Sequence, residues 1–336
     1  MQITIEAATN LIESTLQQLG YPPEDAATIA EHLIDSELRG YGSAGLARVL
    51  SIADRLASTD SPLPQPGAAM VITKETPASA RVDGNDVIGY VVARHATELA
   101  VAKAKAVGVS CVCANGFWYS GMLSYYAEMC TKENLVCTIA SHCYAWVAPH
   151  GSSQAKFGTN PYCIGFPSID GSSPVIWDIG TSKIIHAQAV LANRRGEELA
   201  PDVAYGPDGK PTINPAEALQ GALAVWGGHR GSGLALMVQL LGVMAGAPAL
   251  PPSLGDFGFV IMCVNPALFW DDMGAFKQEI AGYGEQIRNS KPLDDAEPVR
   301  MPFERSYEKR RKNRNAGMLE VDESIVEKLK TLAKMH

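Results

Sequence analysis

From about residue 91 onward, the sequence alternates between helical patterns and short strand patterns. Helices are predicted at 91–107, 122–133, 234–244, 273–287 and 323–334. Strands rich in β-branched, aromatic or cysteine residues are predicted at 109–114, 135–141, 162–166, 175–178 and 257–264. A chain built from such alternating elements is predicted to be an α/β or α+β protein.

The beginning of the chain follows a purely helical pattern instead. Apolar residues recur at helical spacing until the Pro22-Pro23 pair, and a second helix with acidic residues at its positive end begins near Glu24. The proline- and serine-rich stretch at 58–67 predicts a connector. We therefore predict a helical domain at 1–66 and an α/β domain at 67–289.

Composition limits the partners of the 336-residue chain. Its 28 basic and 36 acidic residues give a net charge of −8, so it has no general attraction to nucleic acid or anionic membrane, and we interpret the basic stretch 305–314 as a solvated face. No apolar stretch reaches membrane-spanning length, and Glu6 interrupts the start of the chain, where a signal peptide would be apolar. Seven cysteines without CxxC spacing favour reduced, buried thiols. We expect a cytoplasmic protein that acts on a small molecule.

Several well-known site motifs are missing from the sequence. It has no GxGxxG turn, whose glycines let backbone amides approach a pyrophosphate at a helix start. It also has no GxxxxGK[ST], HExxH or GxSxG motif, and its seven histidines lack metal-ligand spacing, so no catalytic metal is expected. What remains is a series of short polar islands between apolar elements.

These islands, and their order, resemble the type 2 malate/L-lactate dehydrogenase family. They are RGYGSAGLAR at 39–48, PHG at 149–151, FGTNP at 157–161, DIGTS at 178–182, PDGKPTINP at 207–215, GGHRGSGL at 227–234 and RMP at 300–302. The resemblance covers nearly the whole chain. It implies a non-Rossmann NAD(P)-binding domain with a mixed sheet, a helical domain onto which 290–336 packs back, and a homodimer.

The family includes 2-hydroxyacid, ureidoglycolate and sulfolactate dehydrogenases, diketogulonate reductase and reductases of cyclic imino acids such as piperideine-2-carboxylate. The resemblance implies that Arg48 pairs with the substrate carboxylate, a role suited to a rigid bidentate guanidinium, and that Ser43 and Thr159 line the same pocket. Without the resemblance, we would interpret Arg48 as a surface residue in an ion pair and Ser43 as a turn residue.

The proton donor departs from the family pattern. Ala44 stands where the family motif RGxDSHG has histidine, and Gln188 replaces a lysine or aspartate. The motif NSNHFGxAG aligns with 116–121, which puts Tyr119 at the position of the general acid/base histidine. A tyrosine with a pKa of about 10 can donate a proton but is a poor base at neutral pH, which favours reduction. Alternatively, Tyr119 and its neighbour Trp118 form an aromatic wall of the substrate pocket.

The resemblance also implies cofactor-binding residues. These are Ser120, Gly121, Asp178, Ile179, Gly180, His229 and Arg230. The glycines near Arg230 precede a helix predicted to begin near Leu234 and fit a phosphate site, although they could also serve helix packing. Because the basic C-terminal stretch could border a 2′-phosphate, we expect NADPH, with NADH as the alternative.

Three functional hypotheses follow. The first is NAD(P)H-dependent reduction of a C=N bond. For this reaction, the replacement of ionisable family side chains by Ala44 and Gln188 is tolerable, because an iminium arrives already protonated. The second is the family's 2-hydroxyacid/2-oxoacid dehydrogenase reaction, with Tyr119 replacing the histidine. The third is a redox-inactive protein with a binding or non-redox catalytic role.

Overall fold

The computed structural model describes residues 1–58, 66–169, 173–294 and 297–334, so most of the predicted connector at 58–67 lies outside it. The helices of the described residues are α1 (Ile5–Gln18), α2 (Pro23–Leu38), α3 (Ala47–Ala57), α4 (Gly89–Val107), α5 (Leu123–Lys132), α6 (His186–Arg195), α7 (Pro215–Gln220), α8 (His229–Met244), α9 (Met273–Arg288), α10 (Glu304–Ala316) and α11 (Glu323–Leu332). The strands are β1 (Gln2–Thr4), β2 (Val71–Glu75), β3 (Ser79–Asp83), β4 (Val109–Phe117), β5 (Val136–His142), β6 (Val147–Ala148), β7 (Tyr162–Phe166), β8 (Val175–Ile179), β9 (Ala204–Tyr205), β10 (Ala222–Ala224), β11 (Phe257–Val264) and β12 (Met318–Glu320).

The main sheet has seven strands in the order β2-β3-β4-β11-β5-β7-β8. Only β3 and β4 pair in parallel, and every other neighbouring pair is antiparallel. This mixed sheet confirms the predicted fold class. It also accounts for the missing GxGxxG turn, since that fingerprint belongs to the parallel β-α-β unit of a Rossmann fold.

Helices cover both faces of the main sheet. On one face, α4 and α5 pack over a core that includes Val112, Ile139 and Phe259. On the other face, α8 crosses the sheet so closely that a Cβ on Gly242 would lie 2.2 Å from Nδ1 of His142. A smaller sheet of β6, β10 and β9 packs with α6 and α7 beside the main sheet.

The two ends of the chain meet. Strand β1 pairs antiparallel with β12, and α1 to α3 share an apolar core with α11, in which Leu16 and Leu33 are buried together with Leu329. Strand β12 and helix α11 therefore lie against the N-terminal elements, while the packing of the whole segment 290–336 stays a prediction. The domain boundaries at 66 and 289 stay a prediction.

The interpretation of 305–314 as a solvated face is wrong for one of its basic residues. Arg310, on α10, is buried and contacts Glu128 through Nη1 and Nη2, each at 2.6 Å, and Asp35 through Nη1 at 3.0 Å. Arg39 completes the cluster, with Nε 2.6 Å from Asp35 and Nη2 2.9 Å from Glu128. This buried ion network joins α2, α5 and α10.

The part of the glycine-rich stretch from His229 to Gly233 is helical, which corrects the predicted start of α8. The helix begins at His229 and is preceded by Gly228 with φ +59°. A Cβ on Gly231 would lie 1.7 Å from the carbonyl oxygen of Trp226, so this glycine is required by close packing of the first turn. The packing alternative left open for these glycines therefore applies at Gly231.

Candidate active site

A cavity of about 500 Å³, called here the main cavity, lies where the loops that follow β4, β5 and β8 meet the loop before α3. The short segment 302–303 before α10 closes another side. The cavity brings together these residues of the predicted site: Ser43, Arg48, Tyr119, Ser120, Gly121, Thr159, Asp178 and Gly180. Polar islands that are far apart in the sequence thus converge on one space.

Arg48 lies in the first turn of α3 and faces the main cavity. Its Cζ is 4.6 Å from the centroid of the Tyr119 ring, a cation-π contact that holds the guanidinium in place. Burial raises the pKa of the neighbouring Tyr90 to about 12, and Arg48 acts in the opposite direction. Arg194 of α6 donates to the carbonyl of Ala47 at 3.3 Å, which ties α3 to α6.

Tyr119 follows the end of β4 and has a left-handed φ of +54°, which turns the chain toward the cavity. The ring of its neighbour Trp118 lies 5.3 Å from the Tyr119 ring, centroid to centroid, but is not part of the cavity wall. The Trp118 ring is fully buried in the helical core, and its Nε1 donates to the carbonyl of Asp86 at 3.0 Å. The expectation that Trp118 contacts substrate is therefore wrong, because its ring is fully buried in the helical core and does not reach the cavity.

His32 fixes the loop that carries Ser120 and Gly121, although no sequence pattern singled it out. Burial lowers the pKa of His32 to about 3, and its neutral Nε2 accepts the backbone N–H of Met122 at 3.0 Å. A Cβ on Gly121, where φ is +73°, would lie 2.3 Å from that nitrogen. Packing against His32 thus explains the glycine, and Ser120 donates to the Ser141 hydroxyl at 3.2 Å.

Asp178 is the penultimate residue of β8 and also lines the main cavity. Its Oδ2 accepts the backbone N–H of Ser124 at 2.7 Å, which caps the start of α5, and burial raises the pKa of the carboxyl. Gly180 lines the cavity, whereas Ile179 is not part of its wall. One oxygen of Asp178 is therefore occupied by a helix cap.

The positions where the sequence departs from the family pattern meet at one wall. Ala44, Ala187 and Gln188 all line the main cavity. The Gln188 Oε1 accepts the backbone N–H of Ile185 at 2.9 Å and so caps α6. Neither alanine nor this amide offers a titratable group to a ligand.

A stacked pair, Trp146 and His186, lines the same cavity and was not foreseen. The ring centroids are 3.9 Å apart and the planes differ by 14°. Burial lowers the pKa of His186 to about 3, and Arg48 acts in the same direction, so the imidazole is neutral. No local sequence signal marks this pair, because its two rings come from segments that meet only in the folded chain.

His229 and Arg230 lie at the start of α8 and do not line the main cavity. The His229 ring is 6.3 Å from the ring of His150, whose backbone N–H donates to the Ser232 hydroxyl at 3.2 Å. The islands 149–151 and 227–234 therefore adjoin each other as a second group, apart from the cavity.

Glu37 supports the loop that carries Ser43. Its Oε1 accepts the backbone N–H of Leu46 at 2.8 Å. Burial raises the pKa of Glu37 from 4.5 to about 7, and the Leu46 hydrogen bond, Lys309 and Arg195 act in the opposite direction. The folded protein thus binds this proton more tightly than the unfolded chain does, so the free energy of unfolding falls as the pH rises between these two values.

Glu37→Gln is expected to remove this pH dependence. The difference in unfolding free energy, variant minus wild type, should rise by about 1–3 kcal/mol from pH 5 to pH 8. This size follows because one pKa unit corresponds to about 1.4 kcal/mol. Urea unfolding at several pH values measures the difference. Glu279→Gln, at an exposed position on α9, is the control and should show a flat difference. A flat difference for Glu37→Gln would contradict the assignment.

The described residues contain neither a metal-binding cluster nor a membrane-spanning helix. No three of their histidine, cysteine, aspartate or glutamate side chains are grouped closely enough to hold a metal ion. In the same part of the chain, no helix combines the length and apolarity needed to span a bilayer.

Comparison with known proteins identifies the family. The malate/L-lactate dehydrogenase family profile matches residues 3–330, so the chain belongs to this family of dehydrogenases and reductases. It is 31% identical to the L-sulfolactate dehydrogenase of Methanocaldococcus jannaschii over 97% of this chain and 95% of that protein. It is 30% identical to the delta(1)-pyrroline-2-carboxylate reductase of Ancylobacter novellus, over 92% and 91%. The solved delta1-piperideine-2-carboxylate reductase of Pseudomonas syringae superposes with a TM-score of 0.86 at 26% identity, covering 99% of both chains.

Proposed function

We propose that the protein is an NAD(P)H-dependent reductase of a small carboxylated or amino-acid-derived substrate, and that its preferred reaction is hydride transfer to a C=N bond such as that of a cyclic imine. The charges of the main cavity carry the proposal. Among the described residues of its wall, Arg48 is the one cation, since His186 is neutral. One cation suits a substrate with a single carboxylate better than a dianion, whose second charge would be desolvated without a partner.

The shortage of proton donors favours an imine over a ketone. Ala44 and Gln188 carry no proton to give, and Asp178 holds the start of α5. Of the positions where the family pattern has a proton-transferring side chain, Tyr119 keeps a hydroxyl that can donate, and water is the other donor. A protonated imine brings its own proton, so it makes the smallest demand on these residues.

The residues of the main cavity fit a nicotinamide cofactor. A volume of about 500 Å³ suits a small-molecule site. A Cβ added at Gly180 would have no neighbour closer than 3.6 Å, so the cavity is open at this glycine. We assign Ser120, Gly121, Asp178 and Gly180 of this wall to holding it, together with Ile179, which adjoins the wall. When bound, the cofactor supplies the hydride.

The remaining cofactor contacts are proposed from charge. His229 and Arg230 lie in the first turn of α8, where the helix favours a phosphate group. Arg305 lines a depression that shares Tyr41 and Phe303 with the main cavity, which makes a cation available for a 2′-phosphate. We therefore propose NADPH as the preferred form, with NADH as the alternative.

The second candidate is a 2-hydroxyacid/2-oxoacid dehydrogenase of the malate/lactate type. The sulfolactate dehydrogenase relative favours it. In this reaction the Tyr119 hydroxyl would act as both acid and base, and a dianionic substrate would have only Arg48 as a counter-charge within the described wall of the cavity.

Steady-state oxidation of NADPH and NADH with Δ1-piperideine-2-carboxylate, pyruvate and oxaloacetate separates the candidates. We expect kcat/KM for the imine to exceed that for either oxoacid by about tenfold or more, with oxaloacetate lowest because its second carboxylate is unpaired. Turnover of oxoacids alone would favour the second candidate. Failure to bind either dinucleotide would favour a redox-inactive protein.

Tyr119→Phe tests the proton donor. We expect kcat for the imine to fall less than about tenfold, whereas general acid catalysis by this hydroxyl would contribute about 100-fold or more. Tyr41→Phe, at an exposed position on the rim of the cavity, is the matched control. A loss of about 100-fold specific to Tyr119→Phe would contradict the view that the iminium arrives protonated.

We further propose a cytoplasmic homodimer in which α8 forms the subunit contact. Ala235, Val238 and Gly242 of this helix are buried against the sheet. The opposite side carries the exposed residues Leu236, Met237, Leu240, Val243 and Met244. A helix that is apolar all round is normally covered on both sides, and a second copy would cover this one. Free thiols such as those of this chain stay reduced in the cytoplasm.

Leu240→Glu is expected to convert the dimer into monomers, because two copies of the charge would be buried at the contact. Light scattering coupled to size exclusion measures the mass. Leu268→Glu, at an equally exposed leucine outside α8, should leave the dimer intact. A Leu240→Glu variant that still has the mass of two chains would show that α8 is not the interface.

A further inference from the structure

A second cavity of about 310 Å³ lies behind the Trp146–His186 stack. Trp146 and His186 belong to the walls of both cavities, so the stacked pair separates them. The rest of the second cavity includes the apolar side chains of Leu219 and Leu223. Its volume exceeds what one additional aromatic ring requires.

The two halves of this wall are held very differently. Trp146 meets Phe257 edge-on at 6.2 Å and Tyr144 at 5.9 Å, and its backbone N–H donates to the carbonyl of Phe157 at 2.8 Å. His186 is the first residue of α6, and its ring nitrogens make no hydrogen bond to any residue that the structure describes. The imidazole is therefore held mainly by stacking on a fixed indole.

We propose that the Trp146–His186 wall determines substrate size: the carboxylate binds at Arg48, the group on the far side of the reactive carbon lies against the His186 ring, and the second cavity is closed to larger substrates by this ring. The inference rests on the proposed function, because it uses Arg48 as the anchor. The ligand class is a small, planar or nearly planar monocarboxylate with an uncharged ring or side chain.

The electrostatics of the wall agree with an uncharged group. Burial keeps His186 neutral, so a second anionic group placed against it would gain no counter-charge. A flat apolar or weakly polar group can instead pack against the imidazole, which is itself stacked on Trp146.

Binding of two inert probes to the full-length protein, measured calorimetrically with saturating NADP⁺, tests the inference. Pyridine-2-carboxylate and quinoline-2-carboxylate differ by one fused ring. The wild type is expected to bind the smaller probe about tenfold more tightly or better. His186→Ala should reduce that preference by about tenfold, whereas His186→Phe, which keeps a stacked ring, should retain it.

The double variant His186→Ala/Leu219→Trp fills the second cavity and should restore the preference for the smaller probe. An unchanged preference in His186→Ala, or a lost preference in His186→Phe, would overturn the inference. If Arg48→Ala still abolishes binding of pyridine-2-carboxylate in that case, the anchor of the proposed function stands and only the size-limiting wall is wrong. If neither probe binds the wild type, the anchor is wrong and the inference fails with it.

Discussion

Arg48→Ala is expected to lower kcat/KM for the carboxylated substrate by about 100-fold or more, chiefly through a higher KM. A charge-assisted, bidentate guanidinium contact contributes about 3 kcal/mol, and each 1.4 kcal/mol corresponds to about tenfold. No other cation lines the described wall of the main cavity, so no neighbour can replace the lost charge. Steady-state kinetics with the imine and with pyruvate measure the loss.

Two further variants make the Arg48 result specific. Arg48→Lys keeps the charge but loses the planar fork and the packing on Tyr119, so we expect an intermediate loss. Arg94→Ala removes a partly exposed arginine that pairs with Glu31 and Glu98, and it should leave kcat/KM nearly unchanged. An unchanged KM in Arg48→Ala would remove this residue from the substrate site.

Glu128→Gln is expected to reduce the free energy of unfolding by about 3–5 kcal/mol, because it leaves Arg39 and Arg310 buried with too little counter-charge. Both arginines are less than a tenth exposed, and Glu128 accepts from Arg310 through both of its oxygens. The network also supports the main cavity, since Cζ of Arg39 lies 4.5 Å from the centroid of Phe303. Urea unfolding of the two proteins measures the difference.

An exposed ion pair provides the matched control. Arg300 and Glu308 are 3.1 Å apart with about half of each side chain exposed, so Glu308→Gln should change the unfolding free energy by less than about 1 kcal/mol. A loss of the same small size in Glu128→Gln would show that the buried network is dispensable for stability.

The periodic elements of the fold could be predicted from the sequence, and the elements made by distant pairing could not. Strands β7 and β11 match their predictions residue for residue, because their apolar runs are bounded by clear turn residues. The short strands β1 and β12 are stabilised by each other across nearly the full chain, so neither has a local signal. The burial of Arg310 could not be predicted from the basic run for a similar reason, since its partners Asp35 and Glu128 come from other helices.

The site was predictable where a polar island carries a specific pattern. The islands with Arg48, Thr159 and Asp178 do converge on one cavity. Two properties of single residues were not visible in the sequence. Trp118 is buried in the helical core although it adjoins the cavity residue Tyr119, and His186 depends on a stacking partner from another segment.

Transfer of a labelled hydride tests the central claim most directly. The protein is incubated with NADPH deuterated at C4, as both stereoisomers, and with Δ1-piperideine-2-carboxylate and pyruvate in one mixture, and the products are analysed by mass spectrometry. We predict that pipecolate carries one deuterium at C2 from one of the two stereoisomers and forms in excess over labelled lactate. Deuterium in lactate with unlabelled or absent pipecolate would contradict the assignment of this protein as a C=N reductase.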